Sequence, residues 1–276
     1  MIKLIILIII ILFFIINKKK VINNEKFINN EKFINNEKVI NNKKVINNKK
    51  VINNEKFINN EKVLFLMRNY NRPEYLKNTL YHLDNSDIDK CFKKIIYDDA
   101  SNDKEVLKLL NNYKNKYDII FNSKNYKQKS MVKFLDIIEK KYNTNYDFIC
   151  YLDNDAIVKK NFIKKCIETF ELIKKEQKLP NNKILLTGFN TSNHKILKTF
   201  DNYHIKGSIG GIHMFFHKSL LKYIKKWWDY KKDWGIVDKL KEEGGLIFCT
   251  RPSVIQHIGK IGCHSKNNKY DKSRDF

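Results

Sequence analysis

Acidic side chains are scarce in this chain of 276 residues, which has 30 Asp and Glu against 54 Lys and Arg. The resulting formal net charge of +24 predicts an anionic partner: nucleic acid, an anionic membrane surface or a small substrate that carries phosphate. Lys, Asn and Ile are all abundant, as in a chain encoded by an AT-rich genome, which explains the charge without any partner. Composition therefore leaves these classes open.

Paired cysteines are also lacking. The five cysteines form no C-x-x-C pair and show no spacing that is typical of a metal site. Cys150 and Cys249 lie within apolar runs, which is typical of small core residues. This odd, scattered set indicates a reducing compartment or buried, unpaired thiols.

A membrane-length apolar run is missing too, because the longest run covers only residues 4–16 and a span needs about 20 residues. The run is typical of a secretory signal with Lys3 before it, but no small-residue cleavage site follows. We therefore expect residues 1–20 to remain as a single-pass membrane anchor rather than to be removed.

The orientation of this anchor stays open. The lysines at 18–20 favour a cytosolic location for the rest of the chain, whereas a lumenal domain needs the opposite charge bias. In a lumenal domain, Asn190-Thr191-Ser192 would be a glycosylation acceptor.

Residues 21–62 repeat a six-residue unit of the form [V/F]-I-N-N-[E/K]-K without interruption. A period of six fits neither a heptad nor an amphipathic helix, but it is compatible with extended structure. A left-handed β-helix is the alternative, although the small residues that its turns favour are missing. We predict a solvated, low-complexity stalk between the membrane and a domain at 63–276.

From residue 63 onward, predicted strands and helices alternate, which is typical of an α/β fold with a mostly parallel sheet and helices on both faces. The predicted strands lie at 63–67, 94–97 and 119–121, in a run that ends at Asp153, and at 246–249. The predicted helices begin at Pro73, after an Asn102-x-x-Glu105 capping signature, at Met131, at Phe162 and near Asp233.

Polar side chains follow three of these strands, at Asn69 to Arg72, at Asp98-Asp99 and at Asp153-Asn154-Asp155. Ligands of open α/β sheets bind outside the carboxyl ends of the strands, so we expect these side chains to form one site. Two carboxylates one residue apart suit a hard divalent cation.

Residues from about 63 to 265 resemble the GT-A glycosyltransferases, most closely the inverting, family 2-like members. Three segments carry the resemblance: Asn69-Tyr70-Asn71-Arg72 after the first strand, Asp98-Asp99-Ala100-Ser101, similar to D-D-x-S, and Asp153-Asn154-Asp155, similar to D-x-D. The resemblance implies a GT-A-like (Rossmann-like) fold and the use of Mn²⁺ or Mg²⁺. It also implies sugar transfer from a UDP- or GDP-sugar to a hydroxyl of a glycan, protein or lipid acceptor, and no nucleic-acid partner.

The resemblance assigns donor binding to the first two segments. Asp99 would accept a hydrogen bond from the nucleotide base, beside Asp98 of the same motif, and Tyr70 would pack on the base. Arg68 and Arg72 would meet phosphate charge, to which Arg is suited. The alternatives are a helix-capping or turn role for Asp99 and a surface ion pair for either arginine.

The resemblance assigns metal binding to the D-x-D segment, with Asp155 contacting the ion directly and Asp153 holding the ribose or reaching the ion through water. His257, in a segment similar to P-S-x-x-Q-H-x-G, would be a third ligand or would touch the diphosphate. A structural role for His257 is the alternative, and His264 is a weaker candidate.

An inverting transferase needs a general base to take the proton of the acceptor hydroxyl. The resemblance assigns this role to Asp233, with Asp238 and Asp229 as alternatives, although a helix N-cap role explains Asp233 as well. It also places Gly210 and Gly211, before a predicted helix, near the donor sugar and the acceptor.

One departure from the family pattern and two competing functions set limits on these assignments. Residues 122–129 lack the glycine that the resemblance leads us to expect after the third strand. A nucleotidyltransferase would also use strand-end acids, but it would not call for the Trp-Asp and Gln-His segments. The main alternative from another class is a basic nucleic-acid-binding protein or an inactive scaffold with a GT-A-like fold.

Overall fold

A computed structural model describes residues 61–142, 145–260 and 271–276 of the chain. The predicted anchor, almost all of the repeats and His264 lie outside these residues. The described residues belong to one unit that runs from Ile58 to Phe276. Among their helices, none has the length and apolar character needed to cross a membrane.

The strands of the described residues, in chain order, are β1 Val63–Asn69, β2 Lys93–Asp98, β3 Asp118–Phe121, β4 Phe148–Asp153, β5 Ala156–Val158, β6 Ile184–Thr187, β7 Ile196–Thr199, β8 Tyr203–Lys206, β9 His213–His217, β10 Leu246–Thr250 and β11 Ile255–His257. The helices are α1 Pro73–Asp84, α2 Lys104–Asn112, α3 Ser130–Tyr142, α4 Phe162–Gln177, α5 Leu221–Lys231 and α6 Asp233–Glu242.

The main sheet has the order β3-β2-β1-β4-β9-β6-β10-β8-β7, and β5 pairs with β11 in a separate small sheet. The predicted parallel arrangement is confirmed for β3-β2-β1-β4 and for β6-β10. However, β9 is antiparallel to β4 and β6, and β8 is antiparallel to β10 and β7, so the sheet as a whole is mixed.

The helix predicted after Gly211 is wrong, because residues 213–217 form β9. Met214 and Phe215 of this strand are buried on opposite faces of the sheet. A short, continuously apolar segment of this kind gives no periodic signal that separates a strand from a helix.

Helices cover both faces of the sheet, as predicted. Val63, Phe65 and Met67 of β1 face a core that includes α1, α2 and α4. Leu64 and Leu66 face the other core, which includes α3, α5 and α6. Because burial of one such side chain stabilises the fold by about 1.5–3 kcal/mol, the helices stay packed on both faces and the ends of the strands are left for ligands. Cys150 and Cys249 are buried in this sheet, as their apolar surroundings predicted.

The capping signature predicted at Asn102 is shifted by one residue. Asp103 caps α2, and its Oδ1 accepts hydrogen bonds from the backbone N–H groups of Glu105 and Val106 at 2.8 and 3.2 Å. Asn102 instead accepts a bond from the side chain of Asn71 at 3.1 Å. The aspartate satisfies two free N–H groups of the first turn, so it takes the cap position.

The glycosylation acceptor predicted at Asn190 is buried in the folded domain. Its Oδ1 accepts a hydrogen bond from the buried Lys206 ammonium at 2.8 Å, and its Nδ2 donates to Asp275 at 3.3 Å. Both ends of the amide are therefore occupied, and modification of Asn190 would require local unfolding.

Candidate functional site

The parallel register brings the predicted strand-end residues together. Arg68 lies opposite Asp153 in the β1–β4 pair, and Asn69 lies opposite Asp98 in the β1–β2 pair. The turns after β1, β2 and β4 therefore meet at one edge of the sheet, as expected for a ligand site of an α/β fold.

Asp98 is buried and holds two of these turns together. Its Oδ1 accepts hydrogen bonds from Asn69 Nδ2 at 2.7 Å and from the Ser101 hydroxyl at 2.6 Å, and its Oδ2 accepts one from the Ser101 backbone N–H at 2.9 Å. The Ser101 oxygen in turn accepts a bond from the backbone of Asn71 at 2.7 Å. This geometry makes Asp98 a residue that orders the turns.

Asp99 is also buried, and it anchors the loop after β3. Its Oδ1 accepts hydrogen bonds from Asn122 Nδ2 at 3.2 Å and from the backbone of Tyr126 at 3.0 Å, while its Oδ2 accepts one from the backbone of Lys127 at 3.2 Å. Lys127 takes a left-handed φ of 52°, the conformation that the missing glycine would have adopted without strain. Tyr70, which follows β1, is 43% exposed.

Asp155 is buried at the centre of the site. Its Oδ2 accepts a hydrogen bond from Arg72 Nη1 at 2.7 Å and lies 3.4 Å from His257 Nε2. Arg72 also donates through Nη2 to Asn154 Oδ1 at 2.6 Å, and Asn154 Nδ2 donates to Asn69 at 2.6 Å. Arg72 takes a left-handed φ of 61°, which is uncommon for a residue with a side chain.

Asn154 is a residue of the candidate site that the sequence prediction missed. As the middle residue of D-x-D it carries no charge, and its one sequence signal is an amide between two strand-end acids. The structure makes it the link between Arg72 and Asn69.

The small sheet places His257 beside Asp155. His257 pairs with Ala156 in the antiparallel β5–β11 register, one residue after Asp155. The backbone N–H of Ile258 donates to the Asp155 carbonyl at 2.8 Å. At Gly259, an added Cβ would lie 2.3 Å from Asp155 Oδ2 and 2.6 Å from His257 Nε2, so a side chain has no room there.

The pKa values of Asp153, Asp155 and His257 are all shifted by burial and by neighbouring groups. Burial raises the pKa of the Asp153 carboxyl, since Arg68 at 3.2 Å and a hydrogen bond from the Tyr151 hydroxyl compensate only in part. Burial acts in the same direction on Asp155, but the hydrogen bond to His257 and the charge of Arg72 outweigh it and lower the pKa of Asp155. Burial disfavours the charged imidazole, but Asp155 outweighs this effect and raises the pKa of His257. The site is therefore polarised around an ionised Asp155.

The donor atoms of this site fit Mg²⁺ or Mn²⁺ if the substrate completes the ligand set. Within the part of the chain that the structure describes, no group of three or more His, Cys, Asp and Glu side chains forms a complete metal site. Asp155 and His257 offer one oxygen and one nitrogen at 3.4 Å from each other. Mg²⁺ in particular is commonly held by one or two carboxylates together with substrate phosphates.

The candidate base lies where α5 and α6 meet. Lys232 joins the two helices with φ 57° and ψ −136°, and it occupies the N-cap position of α6. Asp233 is the first residue of α6, so the N-cap alternative for Asp233 is wrong. Its Oδ1 accepts a hydrogen bond from the backbone of Trp234 at 3.1 Å.

A short series of contacts links Asp233 to the strand-end acids. Asp233 Oδ2 lies 3.9 Å from the position that a Cβ on Gly211 would take, and Trp228 lies 3.3 Å from it. The carbonyl of the next residue, Ile212, accepts a hydrogen bond from the backbone of Asp153 at 2.9 Å. The structure therefore brings Asp233, Gly211 and Asp153 into one region.

His194 is a second residue of this region that the sequence prediction missed, because no pattern around it marks it. Its Nδ1 lies 2.6 Å from Ser208 Oγ, and its Nε2 lies 3.1 Å from the Cβ position of Gly210. Burial and the charge of Lys206 lower the pKa of His194, while Asp233 opposes them. His194 is therefore neutral near pH 7.

The two alternative bases differ in their surroundings. Asp238 is exposed on α6. Asp229 is exposed on α5 and faces a cleft of about 470 Å³ beside α6. The cleft is lined by Gln128, Lys129, Trp228, Asp229, Lys231, Lys232 and Trp234.

Comparison with solved structures identifies the fold. The matching structures include a crystal structure of GalNAc-T7 with UDP, GalNAc and Mn²⁺, which is 11% identical and superimposes with a TM-score of 0.56. The match covers 71% of this chain and 44% of that chain, so this chain spans less than half the length of that protein. No match was found among curated protein sequences.

Comparison with protein families gives a match to the family described as glycosyl transferase family 2, over residues 65–224. The matched region is more than half of the chain and contains Asp99, Asp153 and Asp155, whereas Asp233 and His257 lie beyond it. The chain therefore belongs to glycosyl transferase family 2.

Proposed function

We propose that this glycosyltransferase is metal-dependent and inverting, and that it passes a sugar from a UDP- or GDP-sugar to a hydroxyl of a glycan, protein or lipid. The observation that carries the proposal is the meeting of Asp155, His257 and Arg72 around one carboxylate oxygen, on the same edge of the sheet as Asp99. Such a cluster suits the diphosphate of a donor.

The donor lies along the strand ends in this proposal. Tyr70, which is exposed, packs on the base, and Asp99 accepts a hydrogen bond from it. Arg68 and Arg72 orient the diphosphate through charge-assisted hydrogen bonds. Asp155 and His257 would hold Mn²⁺ or Mg²⁺, with Asp153 beside them, and such an ion would supply positive charge to offset the negative charge of a departing nucleoside diphosphate. The presence of UDP and Mn²⁺ in the GalNAc-T7 structure supports this arrangement.

The acceptor approaches from the side of α6. Asp233 takes the proton of the acceptor hydroxyl as its oxygen bonds to the anomeric carbon, while the bond from that carbon to the diphosphate oxygen breaks. Attack from the face opposite the leaving group inverts the anomeric centre. Gly210 and Gly211 let the backbone approach the reacting sugar closely, and Gly211 lies beside Asp233.

We also propose that residues 1–20 hold the enzyme at a membrane and that the repeats at 21–62 act as a spacer. The apolar run at 4–16 and the absence of a cleavage site in the sequence support this location. Fractionation of cells that express the full-length protein, followed by extraction with carbonate and then with detergent, tests it. Release by carbonate alone would refute a spanning anchor.

The enzymatic proposal is tested by hydrolysis of UDP- and GDP-sugars with Mn²⁺. Wild-type protein should release the nucleoside diphosphate, and Asp155→Ala should abolish the release because it removes the central carboxylate. Asp201→Ala, the same substitution at an exposed turn, is the matched control and should keep wild-type activity. Activity that persists in Asp155→Ala would contradict the proposed metal site.

The formal charge of +24 favours one competing function, a basic nucleic-acid-binding protein that keeps the fold. Titration with random-sequence DNA at several salt concentrations separates the two. Tight binding with a steep salt slope, unchanged in Asp155→Ala and without hydrolysis of any nucleotide sugar, would favour that alternative.

A further inference from the structure

The cleft of about 470 Å³ beside α6 is the feature that the proposed mechanism does not yet use. We propose that it binds an acceptor saccharide that carries an anionic substituent, a phosphate or a carboxylate. This inference rests on the proposed function, because it specifies the acceptor of the same site. Its support comes from the charge of the cleft, from an exposed indole and from the position of both relative to Asp233.

The charge of the cleft is positive. Its lining includes three lysines, Lys129, Lys231 and Lys232, against the single carboxylate of Asp229. Elsewhere on the domain, lysines such as Lys225 bind carboxylates at 2.5 and 3.0 Å. By contrast, no carboxylate that the structure describes lies within ion-pair distance of Lys129 or Lys232. Two lysines of the lining therefore carry charges that no described carboxylate pairs with, which disfavours a cationic ligand and favours an anionic one.

The indole of Trp234 supplies a surface for a sugar ring. Trp234 is 58% exposed, whereas the neighbouring Trp228 is buried. An exposed indole in a cleft offers a large apolar face that packs against the C–H face of a pyranose, and exposing it to water has a cost that a bound ligand would recover. The cleft therefore combines a stacking surface with cationic groups, which is the pattern expected for a charged saccharide.

The candidate base connects the cleft to the reaction. Lys232 and Trp234, which flank Asp233 in the chain, line the cleft together with Trp228, and Trp228 also lies beside Gly211. Lys232 holds φ 57° and ψ −136°, a backbone conformation that residues with a side chain rarely adopt and that is concentrated at ligand-binding sites. Asp233 Oδ2 in turn lies near Gly211, on the side of Asp153. A saccharide in the cleft would thus present a hydroxyl to Asp233, with its anionic group toward the lysines.

Tryptophan fluorescence of the full-length protein reports on this cleft, because all three tryptophans of the chain lie in or next to it: Trp228 and Trp234 line it, and Trp227 is adjacent. Four probes are titrated: methyl glucoside, glucose 6-phosphate, glucuronic acid and inorganic phosphate. We expect saturable changes with at least one of the two anionic sugars, at about ten-fold lower concentration than with the neutral glycoside. The phosphate and carboxylate probes separate the two anionic groups, and inorganic phosphate tests whether the sugar ring is needed.

The double variant Lys129→Gln, Lys232→Gln keeps side-chain length and removes both charges, and it should weaken binding of the anionic sugar about ten-fold. The matched control is Lys222→Gln, Lys226→Gln, two exposed lysines of α5 outside the cleft lining, which should bind as wild type does. Binding of the anionic sugars no tighter than that of methyl glucoside, unchanged binding in the Lys129 and Lys232 variant, or inorganic phosphate as effective as the sugars would each refute the inference.

A thermal-shift measurement with UDP, GDP and Mn²⁺ on the same preparations separates the two proposals. Stabilisation by a nucleotide without preference for anionic sugars would refute the acceptor inference and leave the transferase proposal intact. Anionic-sugar binding without any nucleotide effect would support the cleft and count against the donor site.

Discussion

Protonation of His213 should destabilise the domain in mild acid. His213 lies on β9 with no exposed surface, opposite Leu152 at the end of β4. Its Nδ1 accepts a hydrogen bond from the backbone of Gly188 at 3.0 Å, so the proton of the neutral ring is on Nε2, which lies 3.5 Å from Cys150 Sγ. A second proton would break the bond to Gly188 and leave a charge without a counterion inside the sheet.

The size of this destabilisation follows from the difference between the pKa of His213 in the folded protein and its pKa in the unfolded chain. Burial lowers the pKa of His213 from 6.5 to about 3. The group therefore contributes stability that is fully present above pH 6.5, and this stability is lost as the pH falls from there toward 3. Each pH unit within this window costs about 1.4 kcal/mol, which amounts to about 2 kcal/mol at pH 5 relative to pH 8.

The test compares wild type with His213→Gln, whose amide can still accept the bond from Gly188 but does not titrate. In urea unfolding, the free energy of unfolding of wild type should fall by about 2 kcal/mol more than that of the variant when the pH is lowered from 8 to 5. His217→Gln, on the same strand, is the control. Burial also lowers the pKa of His217, but solvent reaches this side chain, so the pH-dependent change should be smaller. An identical pH dependence in wild type and His213→Gln would refute the argument.

Three further predictions concern the site. Asp233→Asn should lower kcat by about 10²–10⁴-fold with unchanged donor affinity, as expected for loss of a general base, and steady-state kinetics would exclude this role if kcat stayed at the wild-type value. Gly259→Ala would place a methyl group 2.3 Å from Asp155 Oδ2, so we expect a higher Mn²⁺ concentration for half-maximal activity, whereas an unchanged Mn²⁺ titration would argue against metal at Asp155. Asn154→Ala removes the hydrogen-bond acceptor of Arg72 Nη2 and should lower the free energy of unfolding by about 1–3 kcal/mol in urea, and a change within error would show that the link is dispensable.

The sequence predicts which polar residues lie at the carboxyl ends of β1, β2 and β4. The apolar runs of β1, β2 and β4 are buried on both sides, and each ends in a polar residue, so the strands and their carboxyl ends are both visible in the pattern. Parallel pairing then brings Arg68 and Asp153 together without further information.

Other parts of the site depend on contacts between distant segments. Asn154 and His194 gain their roles from Arg72 and Ser208, which lie 82 and 14 residues away in the chain. No local propensity encodes such a meeting. The strand at His213–His217 was missed because a short segment buried on both faces has no period, and the shift of the cap from Asn102 to Asp103 reflects a competing side-chain bond at Asn102.

The hydrogen bonds from Arg72 through Asn154 and Asn69 to Asp98 have a consequence for how donor selectivity can change. They join the turn at the proposed binding site for the nucleotide base to the turn that carries the proposed metal ligand, so the same hydrogen bonds hold both binding sites in place. Substitutions at Asp98 and at Asn154 should therefore be non-additive, by about 0.5–3 kcal/mol in a double-mutant cycle. Nucleotide preference and metal affinity would then evolve together rather than one at a time.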